Sequence, residues 1–128
     1  MKISEHISYE EATKSQTAIR CGIKNTPTDQ QLENMRLVAD NCFEPLRKWY
    51  GKPLIVSSFF RTEELNKKIG GVKTSQHCEG KAIDIDTGNK IDNEKIFDWC
   101  KDNLIFCQLI NEYDFSWVHI SYDELNNK

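Results

Sequence analysis

The sequence predicts an α+β domain, with helices first, packed on a small, mainly antiparallel sheet. Three observations carry this. From Leu32 to Trp49 apolar residues recur at three- and four-residue steps, the spacing of one helical face. Ala82–Asp86 and residues 116–122 instead alternate apolar and polar residues, the period of a strand. Only a short turn near Tyr113-Asp114 separates the second of these from another strand-like run over 104–111, which favours antiparallel pairing.

Taken in order, Ser8 and Glu11 fit a capping box and predict a short helix over 8–15. Residues 21–27, with Gly22 and Asn25, read as a loop. Thr28 and Gln31 form a second capping box, which opens the longest helix. Its stripe is Leu32, Met35, Val38, Ala39, Cys42, Leu46 and Trp49. Pro45 falls inside it and is expected to kink the helix, since it lacks a donor and crowds the preceding turn. Gly51-Lys52-Pro53 ends the element. Residues 54–60 are apolar, partly β-branched and aromatic, and predict a strand with Arg61 at its end. Thr62 caps a helix over 62–69, which Gly70-Gly71 breaks. A loop over 72–81 carries His77 into the strand Ala82–Asp86. Asp92 is expected to cap a helix over 93–103 with Ile96, Phe97 and Cys100 inward.

The totals bound the function. A chain of 128 residues is expected to form a single domain over 1–128. A net charge of −3 gives no bulk electrostatic case for nucleic acid or an anionic membrane. No apolar run approaches the ~20 residues of a membrane span. The polar start, Met1 to His6, does not resemble a secretory leader, so synthesis and retention in the cytoplasm are expected unless another system releases the protein. A monomer is expected. Five cysteines without a CxxC pair do not make a disulfide framework or a Cys-type zinc site. They read as buried thiols, with Cys78 the exception because it follows His77.

The chemistry concentrates in two strands. Asp84 shares a strand face with Ala82 and Asp86; His119 shares one with Trp117 and Ser121. Acidic side chains in an Ile-rich strand are costly unless a cation meets them. If the strands are neighbours, a carboxylate from Asp84 or Asp86 and the His119 imidazole project from one side. His77, in the entering loop, completes a triangle. Two imidazoles and one carboxylate are a catalytic zinc set, and such a site lowers the pKa of a bound water to about 7. A carboxylate that serves in turn as base and acid is then needed, and Glu112 and Asp114 lie just before the His119 strand. Arg61 is placed to hold a substrate carboxylate or a developing oxyanion. His6 has no ligand-like neighbours and reads as structural.

Three motifs resemble one family. Ser75-x-His77-x-x-Gly80-x-Ala82-x-Asp84 is similar to the SxHxxGxAxD signature of the zinc D-alanyl-D-alanine carboxypeptidases, which include phage L-alanyl-D-glutamate endopeptidases and share a fold with the hedgehog signalling domain. Trp117-Val118-His119 resembles the family's Trp-x-His strand, and Val56 to Arg61 its arginine segment. With Ser15 to Ala18 and Asn25-Thr26-Pro27, the chain looks like a compact phage- and bacteroidete-type branch. The resemblance implies that Zn2+ is bound by His77, Asp84 and His119. It also implies Arg61 in transition-state or substrate-carboxylate binding, Ser75 and Trp117 beside the substrate, and hydrolysis of peptide bonds in peptidoglycan stems. It favours Asp84 over Asp86. Many members place the catalytic carboxylate three residues before the last histidine; here that residue is Ser116, which points to Glu112, with Asp114 as runner-up. Phe59 replaces the usual glycine of the arginine segment. The alternative is a non-catalytic zinc-stabilised wall-binding or interaction module of the same fold. If the chain is a phage lysin, it acts on the wall after release from the cytoplasm.

Overall fold

The computed structural model describes residues 1–125 and 127. It is α+β, with two antiparallel sheets. The first sheet, a hairpin of β1 (Lys2–Ser4) and β2 (Ile7–Ser8), is not legible in the polar N-terminal sequence. Two buried isoleucines, Ile3 and Ile7, hold it to the core. Glu44 holds its polar side: it accepts from Ser4 Oγ (2.6 Å) and His6 N (2.9 Å), and its other oxygen lies 2.6 Å from His6 Nδ1. Burial pushes the Glu44 carboxyl up, but the bonds from His6 and Ser4 outweigh it and hold the group below its usual range.

Ser8 caps α1 (Tyr9–Thr13), a helix shorter than expected, by accepting from Glu11 N at 3.0 Å. A second short helix, α2 (Gln16–Cys21), was not expected; Ser15 caps it and Gly22, at φ 67, ends it. The Thr28 capping box is complete, with Gln31 N and side chain both engaged. It opens α3 (Asp29–Val38). Before Pro45, where the sequence predicts a kink, the chain makes a π-helical turn (Ala39–Phe43) and continues as α4 (Glu44–Tyr50). Pro45 becomes the second residue of α4, where a missing N–H breaks no helical bond. Met35, Val38, Ala39, Cys42 and Leu46 of the stripe are fully buried and Leu32 is half-buried, but Trp49, beyond the π-helical turn, is exposed and stacks on Trp99.

β3 (Ile55–Ser58) is shorter than the expected run over 54–60. A register shift between Val56 and Ser58 ends it, and Phe59 and Phe60 turn into the core. Thr62 caps α5 (Glu63–Lys68). Asn25 fastens the junction: it donates to Thr13 O and Phe60 O and accepts from Thr62 N. The expected loop before Ala82 contains a 3-10 turn (Gln76–Glu79). β4 (Ala82–Asp86) matches its expected bounds. α6 (Lys90–Asn103) starts earlier than expected, because Asn89 is the cap and accepts from Asp92 N at 2.7 Å. The Asp92 carboxylate instead accepts from Tyr50 Oη at 2.6 Å. β5 (Gln108–Glu112) begins four residues later than the sequence suggests, and β6 (Trp117–Ser121) lies within its expected range.

The main sheet runs β3-β4-β6-β5, each pair antiparallel. Ile83, Ile85, Val118 and Ile120 point to one face and are fully buried in the same core as Met35, Phe43, Leu46 and Ile96 of the helical layer. Asp84 and His119 point to the other face. Gly80 sets how closely the His77 turn approaches α3. Its φ is +75, and a Cβ there would stand 2.5 Å from Gln31 O and 2.9 Å from Met35 Cγ. Gly80→Ala therefore meets both a left-handed penalty of about 1–2 kcal/mol and overpacking of a further ~1–3 kcal/mol. A fall in stability of about 3 kcal/mol is expected in urea unfolding, against a negligible change for alanine at an open helical position of α3.

Candidate metal centre

The central strand pair builds the site. Asp84 and His119 are directly opposite in the β4–β6 register. Directly opposed side chains on one face are close neighbours, and His119 Nδ1 lies 3.0 Å from Asp84 Oδ1. His77 enters from the 3-10 turn, with Nε2 3.3 Å from Asp84 Oδ2. One donor atom from each of the three residues falls within 4.8 Å of the others. His77 is 2% exposed. Its Nδ1 lies 2.6 Å from the carbonyl of Phe59, which orients the ring and leaves Nε2 facing Asp84. Burial raises the Asp84 carboxyl, but hydrogen bonds from His119 and His77 overcome it and hold the group at about 2. The donor set therefore fits a metal: a permanent carboxylate, two imidazoles and an outer partner for one of them.

The triad faces an open cleft of about 790 Å³, also lined by Arg61, Ser75, Glu112, Tyr113 and Trp117. The Arg61 amide donates to His77 O (3.3 Å), and its Nη2 donates to Ser75 Oγ (3.3 Å). Arg61 Nε is buried without a hydrogen-bond partner among the described residues. Burial lowers the guanidinium pKa while Asp84 and Cys78 oppose that. A buried donor left unmatched on a charged group is costly unless an acceptor meets it. Glu112, at the end of β5 opposite Trp117, is half-buried at the other side of the cleft.

Other sequence candidates lie elsewhere. Asp114 is outside the cleft lining, 87% exposed and 3.7 Å from Lys90. Asp86 accepts from Gly88 N and Asn93 Nδ2 at the strand end and does not join the donor group. Cys78 is buried, and burial pushes its thiol up, away from thiolate. Glu79 faces a separate polar pocket against α3. His6 pairs with Glu44, as a structural residue should. Two contributors escaped the sequence reading: the Phe59 carbonyl, which leaves no trace in residue type, and Tyr113 on the cleft rim.

A His-Asp-His donor set at the floor of a cleft, with a half-buried carboxylate and a partly buried arginine on the same lining, defines the class of a mononuclear metal-dependent hydrolase. A family model described as peptidase M15 matches residues 5–121, and the chain belongs to that family of metallopeptidases. No curated protein matches the chain. Among the described residues, no helix is long and apolar enough to cross a membrane.

Proposed function

We propose that the protein is a zinc-dependent peptidase that hydrolyses peptide bonds in peptidoglycan stem peptides, as a D-Ala-D-Ala carboxypeptidase or an endolysin-type endopeptidase. The observation that carries this reading is the convergence of His77, Asp84 and His119 at the floor of an open cleft. These three residues would hold the ion. A zinc ion held there would supply Lewis acidity and lower the pKa of a bound water to about 7.

The remaining roles belong to the chain itself. Glu112 takes a proton from the attacking water and returns it to the leaving amine, the alternation open to a single carboxylate. Arg61, with Nε unmatched among the described residues, pairs with a substrate carboxylate or the developing oxyanion. Ser75 fixes the Arg61 guanidinium at 3.3 Å and borders the substrate. Trp117 lines the wall beside Glu112. The Ser116 hydroxyl, at the position where many relatives carry the base, donates to Tyr113 O at 2.7 Å and serves the turn instead.

Incubating the purified protein with peptidoglycan fragments, with and without chelator, tests the reading. New amino groups are expected with metal present, to be lost on chelation and restored by added zinc. Zinc binding without release of any amino group would leave the non-catalytic wall-binding module in its place.

A further inference from the structure

The β5–β6 turn carries a cost that packing alone does not explain. Tyr113, Asp114 and Phe115 stand at φ 48, 57 and 61. Three successive non-glycine residues in left-handed geometry persist only where the surroundings over-determine them. The surroundings here do so. Ser116 N donates to Glu112 O, and Ser116 Oγ donates to Tyr113 O. The Phe115 ring sits edge-on to Phe97 at 5.7 Å. Asn93, 1% exposed, donates to Phe115 O at 2.8 Å and Ser116 O at 3.2 Å.

These bonds fix Tyr113 in an unusual place. Tyr113 is 75% exposed, yet its ring centroid lies 5.1 Å from that of Trp117, and both residues line the cleft. The turn seats Phe115 against Phe97, but the exposed Tyr113 ring that it also presents adds nothing to the core. It does build an uncharged ring surface next to Glu112.

We propose that Tyr113 is a specificity-determining substrate contact. With Trp117 it forms an apolar wall that receives an uncharged aliphatic side chain of the stem peptide next to the scissile bond. The inference rests on the peptidase reading for its substrate class. The position next to Glu112, on the cleft that the metal donors also line, favours the peptide over the glycan strand, because the reacting bond would lie there.

The test uses the zinc-loaded protein carrying Glu112→Gln, so that bound peptide is not consumed. A labelled synthetic stem pentapeptide is titrated by fluorescence anisotropy. Tyr113→Asn is expected to weaken binding about tenfold, the affinity equivalent of one aromatic contact with its buried area. Tyr113→Phe retains the ring face and is expected to retain affinity. Asparagine tolerates left-handed geometry, so zinc content should hold and the thermal midpoint should hold or rise. Binding loss without stability loss is a signature that a merely structural tyrosine cannot give.

Equal affinity of Tyr113→Asn and parent overturns the proposal. So do a Tyr113→Phe variant as weak as Tyr113→Asn, a binding loss that tracks zinc loss or a falling midpoint, a parent that binds no pentapeptide, and a Tyr113 dependence seen only with a peptide-free glycan fragment. The two readings fail separately. Tyr113-dependent binding without cleavage when Glu112 is intact removes the peptidase and keeps the wall. Cleavage with a KM insensitive to Tyr113 does the reverse.

Discussion

His119→Ala is expected to abolish zinc binding at micromolar metal and, with it, peptidase activity. His119 stands opposite Asp84 in the central strand pair and is one of three donors, so its loss leaves a two-ligand site. Losing an outer-shell partner already costs about 10–100-fold in metal affinity, and losing a ligand should exceed that range. Metal analysis after dialysis against zinc checks it: about one zinc per parent chain and none per variant chain. A thermal scan gives a second readout. Zinc at about a hundred times its dissociation constant should stabilise the parent by about 2.7 kcal/mol, on the order of 10 °C, and leave the variant unmoved.

The metal-free proteins differ in acid as well. The folded Asp84 carboxyl lies at about 2, below its unfolded value. Its contribution is therefore fully present above about pH 4 and is lost as the pH falls through about 2. Without His119 the carboxyl loses its largest favourable partner and its pKa rises, so the acid limb of unfolding should move to higher pH. A variant that binds zinc and titrates like the parent would remove His119 from the site.

Glu112→Gln is expected to retain zinc and fold while turnover falls by about 10²-fold or more, the usual range for a positioned acid–base group. The substitution keeps the shape of the side chain, and Glu112 lies outside the donor group, so binding and catalysis separate. Asp114→Asn, at an exposed residue outside the cleft lining, is the comparison and should leave kcat nearly unchanged. The reverse pattern, with Asp114→Asn inactive and Glu112→Gln active, would transfer the role.

Much of this site was legible because strands alternate. Asp84 and His119 each sit on the face opposite buried isoleucine or valine, and that pattern is visible without coordinates. Which strands are neighbours is not visible, and neither is register. A one-residue slip between β4 and β6 would place Asp84 against Val118 or Ile120 and dissolve the triad. The choice between Asp84 and Asp86 was likewise open from alternation alone. It is closed by Asn93 and Gly88, which occupy Asp86 at the strand end.

The misses have local causes. The N-terminal hairpin is only five strand residues long, and distant Glu44 fixes it, so no periodicity announces it. At the proline the α-helical ladder is interrupted: a π-helical turn precedes it, and α4 restarts with Pro45 in its first turn. The Phe59 substitution, awkward as a motif departure, is explained by burial: the ring fills the core while the carbonyl holds His77.

The sequence by itself indicated the fold class, the capped start of α3 and the histidines and aspartates from which a donor set could come, since each depends on residue type and short-range period. The tertiary structure decided what depends on through-space geometry. It paired Asp84 with His119, set Glu112 in the cleft and Asp114 outside it, buried Arg61 Nε without a partner among the described residues, and held Tyr113 over the rim. Register and left-handed turns are set by contacts between residues far apart in the chain, such as Asn93 with Phe115, and these leave no periodic trace in the sequence.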